Sequence, residues 1–355
     1  MGIKSLVSKN KENEEQKSKQ TEIIFIKNIV NDSYAKYVKM NSFTIFNSIY
    51  DILILIYSTE KNSIIFYNMI DNKKIVEIKN AHITYITNFR HYLDINNKRD
   101  LIISISLENN IKLWNVNNYE CLLNIKNING KGRLFSACFL NDNNQIFILT
   151  SNIINNPEPI KIFDLEGKMV KIINNSNDSV HFIDTYNDIK KSKIYILTCN
   201  KDCVKSYDYM NNKIYQTYRD LRKKDKKDYY YYEAHICLII NNKEELIESC
   251  NDGNIRIWNF HSGELLKIIR VINENYILEC FCSWNNDYLL VVCGQTIKII
   301  QLKNGKIVKE LNGHNQRIIY ITTIFHPKYG KSIITQGFDK DGIKLWANKL
   351  ENDLV

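Results

Sequence analysis

The chain has 355 residues, of which 44% are hydrophobic, 11% aromatic and 25% charged, which is ample for a large buried core and excludes disorder for most of its length. Its 48 basic and 39 acidic side chains give a net charge of +9, spread along the chain rather than gathered into a nucleic-acid footprint. Nine cysteines, an odd number in a large chain with no apolar export segment, argue against a disulfide framework, and no apolar run approaches the ~20 residues that span a bilayer. The expected setting is the cytoplasm, with the nucleus as a second possibility.

In chain order, Met1 to Gln20 is dominated by Lys, Glu, Asn, Gln and Ser without periodicity and reads as a flexible polar tail. Gly2 invites a myristoylation reading, but that pattern wants Ser or Thr at the sixth position and the chain has Leu6, with Ser5 one place early. A strand-like segment, Glu22 to Lys27, then stands alone before a repeat begins near Phe43.

The repeat is a small polar turn, alternating apolar residues, and a bulky closing residue, usually aromatic and usually followed by Asn or Asp. Its seven copies close at Tyr67, Trp114, Phe163, Tyr207, Trp258, Ile300 and Trp346, in steps of 47, 49, 44, 51, 42 and 46 residues. Strand-like runs precede each copy (Leu101 to Ser106, Lys193 to Thr198, Tyr288 to Cys293) and others follow (Lys306 to Leu311). Four strands per ~40–50 residues is the period of a β-propeller blade. The expectation is an all-β, seven-bladed propeller of four-stranded blades over residues 21–350, with a short C-terminal tail at 351–355. After Trp346 only nine residues remain and none forms a fourth strand, so the segment Glu22 to Lys27 is expected to complete the last blade and remove the open edge.

These residues resemble the WD-repeat family from about Thr21 to Lys349. Asn312-Gly313-His314 opens the last repeat and Ala81-His82 the second, and Trp closes three copies. The stretch Trp284 to Trp346 is similar to the C-terminal blades of an expanded WD-repeat set of unicellular eukaryotes. In this family His, a Ser or Thr, an Asp in the turn and Trp are hydrogen-bonded. The resemblance carries that set onto His82, Ser106, Glu108 and Trp114, onto His314, Asp339 and Trp346, and in part onto Asp252 and Trp258.

His82 and His314 are therefore read as structural rather than catalytic. Cys280 and Cys282 share a strand face but lack a second pair of zinc ligands, so all nine cysteines are read as small apolar residues. No phosphate loop, metalloprotease helix or nucleophile elbow occurs, and neither enzymatic activity nor a cofactor is expected. The segment Arg219 to Tyr232 nets +3 and carries Arg222, Lys223, Lys224, Lys226 and Lys227 beside Tyr229 and Tyr230. It reads either as a solvated connection or as a grip for RNA or an acidic protein patch. Tyr85, Arg133 and Arg317 open their blades' first strands and are candidate partner contacts. No closing residue is followed three places on by the Arg of ubiquitin-ligase substrate receptors: those positions hold Ile70, Asn117, Glu166, Met210, His261, Lys303 and Lys349. The functional expectation is a protein–protein scaffold or adaptor, monomeric or a subunit of a larger assembly, without membrane or small-molecule substrate. An RNA- or ribosome-associated propeller is the alternative.

Overall fold

The computed structural model describes residues 23–30, 43–59, 61–126, 133–153, 159–174, 180–200, 203–220, 237–240, 244–249, 253–272, 278–337 and 342–348. They form strands and turns, and among them no helix is long and apolar enough to cross a membrane. The strands make seven antiparallel four-stranded sheets, the blades of a propeller. Blade 1 holds β2 (Phe43–Asn47), β3 (Leu53–Ser58), β4 (Ile64–Asn68) and β5 (Lys73–Ile78). Blade 2 holds β6 (Ile86–Asp94), β7 (Arg99–Ser106), β8 (Ile111–Asn115) and β9 (Glu120–Ile125). Blades 3 and 4 run from β10 (Arg133–Asp142) to β13 (Met169–Ile173) and from β14 (Val180–Asp188) to β17 (Lys213–Tyr218). Blades 5 and 6 run from β18 (Cys237–Ile240) to β21 (Leu265–Arg270) and from β22 (Leu278–Ser283) to β25 (Ile307–Asn312). Blade 7 holds β26 (Ile318–His326), β27 (Gly330–Gly337) and β28 (Ile343–Asn348), and its fourth strand is β1 (Ile23–Val30) from the other end of the chain.

The closing residues of all seven repeat copies lie on the third strand of a blade, at or near its end. The register explains why a bulky residue recurs there. In the six blades built from consecutive strands, the third and fourth strands slip by one residue immediately before that position. β28 and β1 show the same slip, with Trp346 opposite Phe25 and Leu345 opposite Lys27. The extra residue falls on the fourth strand each time and is apolar or aromatic: Ile75, Leu122, Val170, Tyr215, Leu266, Val308 and Ile26. A bulge adds local twist, which a blade needs as it fans outward from the axis. Sharing it marks β1 as a genuine fourth strand.

The core is divided among the contacts between blades. Seven hydrophobic clusters correspond to the seven blade interfaces, the 7–1 junction included, where Phe43, Leu53 and Leu55 meet Ile334, Ile343 and Leu345. Second strands, covered on both sides by neighbouring sheets, are buried almost without a break, as in β3 (LILIYS). Around the axis the first strands of blades 1 to 4 touch in succession, as do those of blades 6, 7 and 1. One face of the disc carries the turns from first to second and third to fourth strand, here the turn face. The other carries the turns from second to third strand and the crossings between blades, here the connection face.

Candidate interaction face

A hydrogen-bonded network on the connection face is built on blade 2. His82 lies in the crossing from blade 1, Ser104 on β7, Glu108 in the turn after β7, and Trp114 on β8. The Trp114 indole Nε1 donates to Ser104 Oγ at 2.8 Å, and that hydroxyl lies 2.7 Å from His82 Nε2. His82 Nδ1 is 3.1 Å from Glu108 Oε1. An ionised carboxylate can only accept, so Nδ1 carries the ring proton and Nε2 takes the serine hydrogen. The chain of donors therefore runs in one direction, from Trp114 through Ser104 to His82, which in turn donates to Glu108. Burial lowers the His82 pKa to about 4, so the ring stays neutral at physiological pH. Burial also opposes ionisation of Glu108, but hydrogen bonds from His82 and the Ile83 N–H outweigh it and hold the carboxyl below its usual range.

The hydroxyl in this set is Ser104, which corrects the assignment to Ser106. Both serines point to the same side of β7, but the indole and imidazole converge two residues earlier on the strand. In blade 7, Thr335 plays the corresponding part: Trp346 Nε1 donates to its Oγ1 at 2.8 Å, and His314 Nε2 is 2.7 Å away. Gly313 is required beside it, because a Cβ there would lie 2.7 Å from Trp346 Cη2. In blade 5 the indole of Trp258 donates to the buried carboxylate of Glu248 at 2.9 Å, a residue that a search for Ser or Thr passes over. Asp252 and Asp339 lie outside the described residues.

A second recurring element holds the repeats shut. Two residues before the closing position stands Lys112, Lys161, Lys205, Arg256, Lys298 or Lys344 in blades 2 to 7. Lys112 donates to Ala81 O, Lys298 to Val271 O and Lys344 to Gly313 O, so each ties its third strand to the crossing into its own blade or the end of the previous one. In blade 5 Arg256 instead meets the carboxylate of Asp220 at 3.0 Å, both side chains buried. Asp220 thus belongs to the framework and not to the solvated charge of the segment 219–232. Arg222, Lys223, Lys224, Lys226, Lys227, Tyr229 and Tyr230 lie outside the described residues.

The blade 2 network presents a surface. Ile83 is 84% exposed, Tyr85 59% and Leu107 45%, and they are adjacent, since the Leu107 N–H donates to Tyr85 O at 3.1 Å. The backbone beneath them is fixed on both sides. Asn62 of blade 1 donates to Ile83 O at 2.8 Å, and Asn109 accepts the Leu134 N–H of blade 3 at 2.8 Å. Tyr85, Arg133 and Arg317 occupy equivalent places, each one residue before the buried entry residue of a first strand: Ile86, Leu134 and Ile318, after which all three strands bulge. Arg317 is exposed. Ile83 and Leu107 were not among the sequence candidates, because exposure at a crossing and a turn leaves no periodic signal.

No protein-family model matches the chain, and no curated protein matches it.

Proposed function

We propose that this chain is a degenerate WD-repeat propeller that works as a non-catalytic protein-interaction scaffold, docking its partner on the connection face around blade 2. The observation that carries the reading is an apolar and aromatic cluster, Ile83, Tyr85 and Leu107, exposed to solvent yet resting on a backbone pinned by Asn62, Glu108 and Asn109. Exposed apolar groups are ordinary when scattered singly, but a contiguous cluster with a polar rim marks a contact site. A rigid presentation lowers the ordering cost of binding, and Tyr is enriched among hot spots. Arg317, across blade 1 at the equivalent position, adds a charged rim contact. The WD-repeat assignment is supported by the His82–Ser104–Trp114 and His314–Thr335–Trp346 hydrogen-bond sets, which reproduce the relation that the family motif implies.

The test is the affinity-purified set of bound proteins from wild type and from an Ile83→Asp, Leu107→Asp double variant at equal expression. Both positions are exposed, so melting should change little. Selective loss of partners supports the reading, and an unchanged set overturns it.

A further inference from the structure

A cavity of about 250 Å³ lies between the later halves of the innermost strands β6, β10 and β14, towards the turn face, and Arg90, Tyr92, Phe139, Asn141, Asp184 and Thr185 are among its walls. Arg90 is held from behind. Its Nε donates to Ala137 O at 3.4 Å, and its guanidinium carbon stands 5.2 Å from the centroid of the Phe182 ring. Arg90 lines the cavity, and among the described residues no protein group accepts from its two Nη amino groups, which leaves their four N–H donors for a ligand. Asp184 Oδ1 accepts the Thr185 N–H at 2.8 Å, and its other oxygen has no described hydrogen-bond partner. An immobilised guanidinium with its fork unfilled is unlike Lys112, Lys298 and Lys344, each of which donates to a backbone carbonyl.

We propose that this cavity is a binding site for a small carboxylate ligand, its two oxygens on the Nη groups of Arg90 and its body against Tyr92, Phe139 and Ile194. The Arg fork matches a carboxylate through two parallel hydrogen bonds. One cation with a carboxyl beside it compensates a single negative charge, which favours a carboxylate over a phosphate dianion. Burial raises the Asp184 carboxyl above its ordinary range, against the opposing pull of the Arg90 charge and the Thr185 N–H, which lessens its repulsion of a bound anion. At about 30 Å³ per water, the space corresponds to roughly eight water molecules, so the ligand is small or is the end of a larger one. This goes beyond the sequence, from which no small-molecule ligand is expected. It is also independent of the connection-face patch, so either can fail alone.

The experiment is a titration of the full chain, labelled with ¹⁵N-arginine, with benzoate, glutarate and inorganic phosphate, following the guanidinium resonances and assigning Arg90 from Arg90→Lys. The expected result is a saturable shift of the Arg90 resonance by a carboxylate, weaker or absent with phosphate, and a loss of affinity of at least tenfold in Arg90→Lys, which keeps the charge but not the fork. Asp184→Asn, which puts a neutral amide in place of the carboxyl, should bind at least as well as wild type to within a few-fold. A peptide with a free C-terminal carboxylate, run against its amide, separates a peptide end from a free metabolite. Failure of both carboxylates and of the peptide to move the Arg90 resonance overturns the proposal, as does equal binding by a folded Arg90→Lys. Should that variant not fold, the wild-type titration decides alone.

Discussion

Phe25 on β1 and Trp346 on β28 pack edge to face, with ring centroids 5.6 Å apart and ring planes inclined at 72°, although 321 positions separate them in the sequence. Lys309 of blade 6 also donates to Ile23 O at 3.1 Å, so β1 is engaged by two blades. The ring is therefore closed by a strand from its opposite end. Deleting residues 1–20 should leave the melting temperature within a degree or two. Deleting 1–28 removes most of β1, leaves Trp346 and the polar edge of β28 uncovered, and should cost several kcal/mol, at roughly 2–4 °C per kcal/mol for a large domain. Thermal melts of both truncations read this out.

Ser104→Ala and Ser106→Ala separate the two serines of β7. The first leaves the Trp114 N–H and the His82 ring nitrogen buried without a partner, which should cost about 1–3 kcal/mol for each group stranded. The second touches neither ring and should cost less than ~1 kcal/mol. Urea unfolding midpoints of the two variants give the comparison.

His82 gives the fold a pH dependence with a definite sign. Its folded pKa, lowered to about 4, lies below the unfolded value of 6.5, so the unfolded chain takes up a proton that the native ring refuses. Stability is unaffected by His82 above pH 6.5 and falls as the pH drops from 6.5 to 4, by up to about 3 kcal/mol. Glu108, whose pKa is also lowered, adds to the loss as the pH falls through its own range. Stability curves for wild type and His82→Gln should diverge in slope across this window and run parallel above it.

Gly313 and Gly294 predict opposite sensitivities to space. In Gly313→Ala the new methyl meets the Trp346 ring at 2.7 Å, and either the indole leaves Thr335 or the backbone shifts, at about 1–3 kcal/mol. Gly294 has nothing within 4 Å of an added Cβ but sits at φ +61°, so alanine there pays conformational strain of about 1–2 kcal/mol without disturbing the core. The near-ultraviolet circular dichroism of tryptophan should change in the first variant and persist in the second.

The propeller itself was legible because a bulky residue closes each third strand at a fixed structural event, the slip against the fourth strand, and because that strand is bounded by turn residues. The partner of β28 was legible for the same reason, as an apolar run left over at the far end; the structure extends it to Val30. The hydroxyl of the blade 2 network was misplaced by two residues because period-two alternation fixes the face of a strand but not the height along it. Glu248 was missed since its carboxylate stands where a hydroxyl is expected. Arg90 and Asp184 escaped because they are 94 positions apart and meet only where three innermost strands converge on the axis. Ile83 and Leu107 escaped because sequence pattern reports what a strand buries and says little about which turn residues remain bare.

The most direct test of the scaffold reading is site-specific photo-cross-linking in cells, with the photoreactive residue placed either at Tyr85 on the connection face or at Ile189, an even more exposed apolar position on the turn face. Discrete protein adducts are expected from position 85 that disappear in the Ile83→Asp, Leu107→Asp background, and only background from position 189. Adducts from position 189 alone, or adducts from position 85 that survive the double substitution, would contradict the scaffold reading.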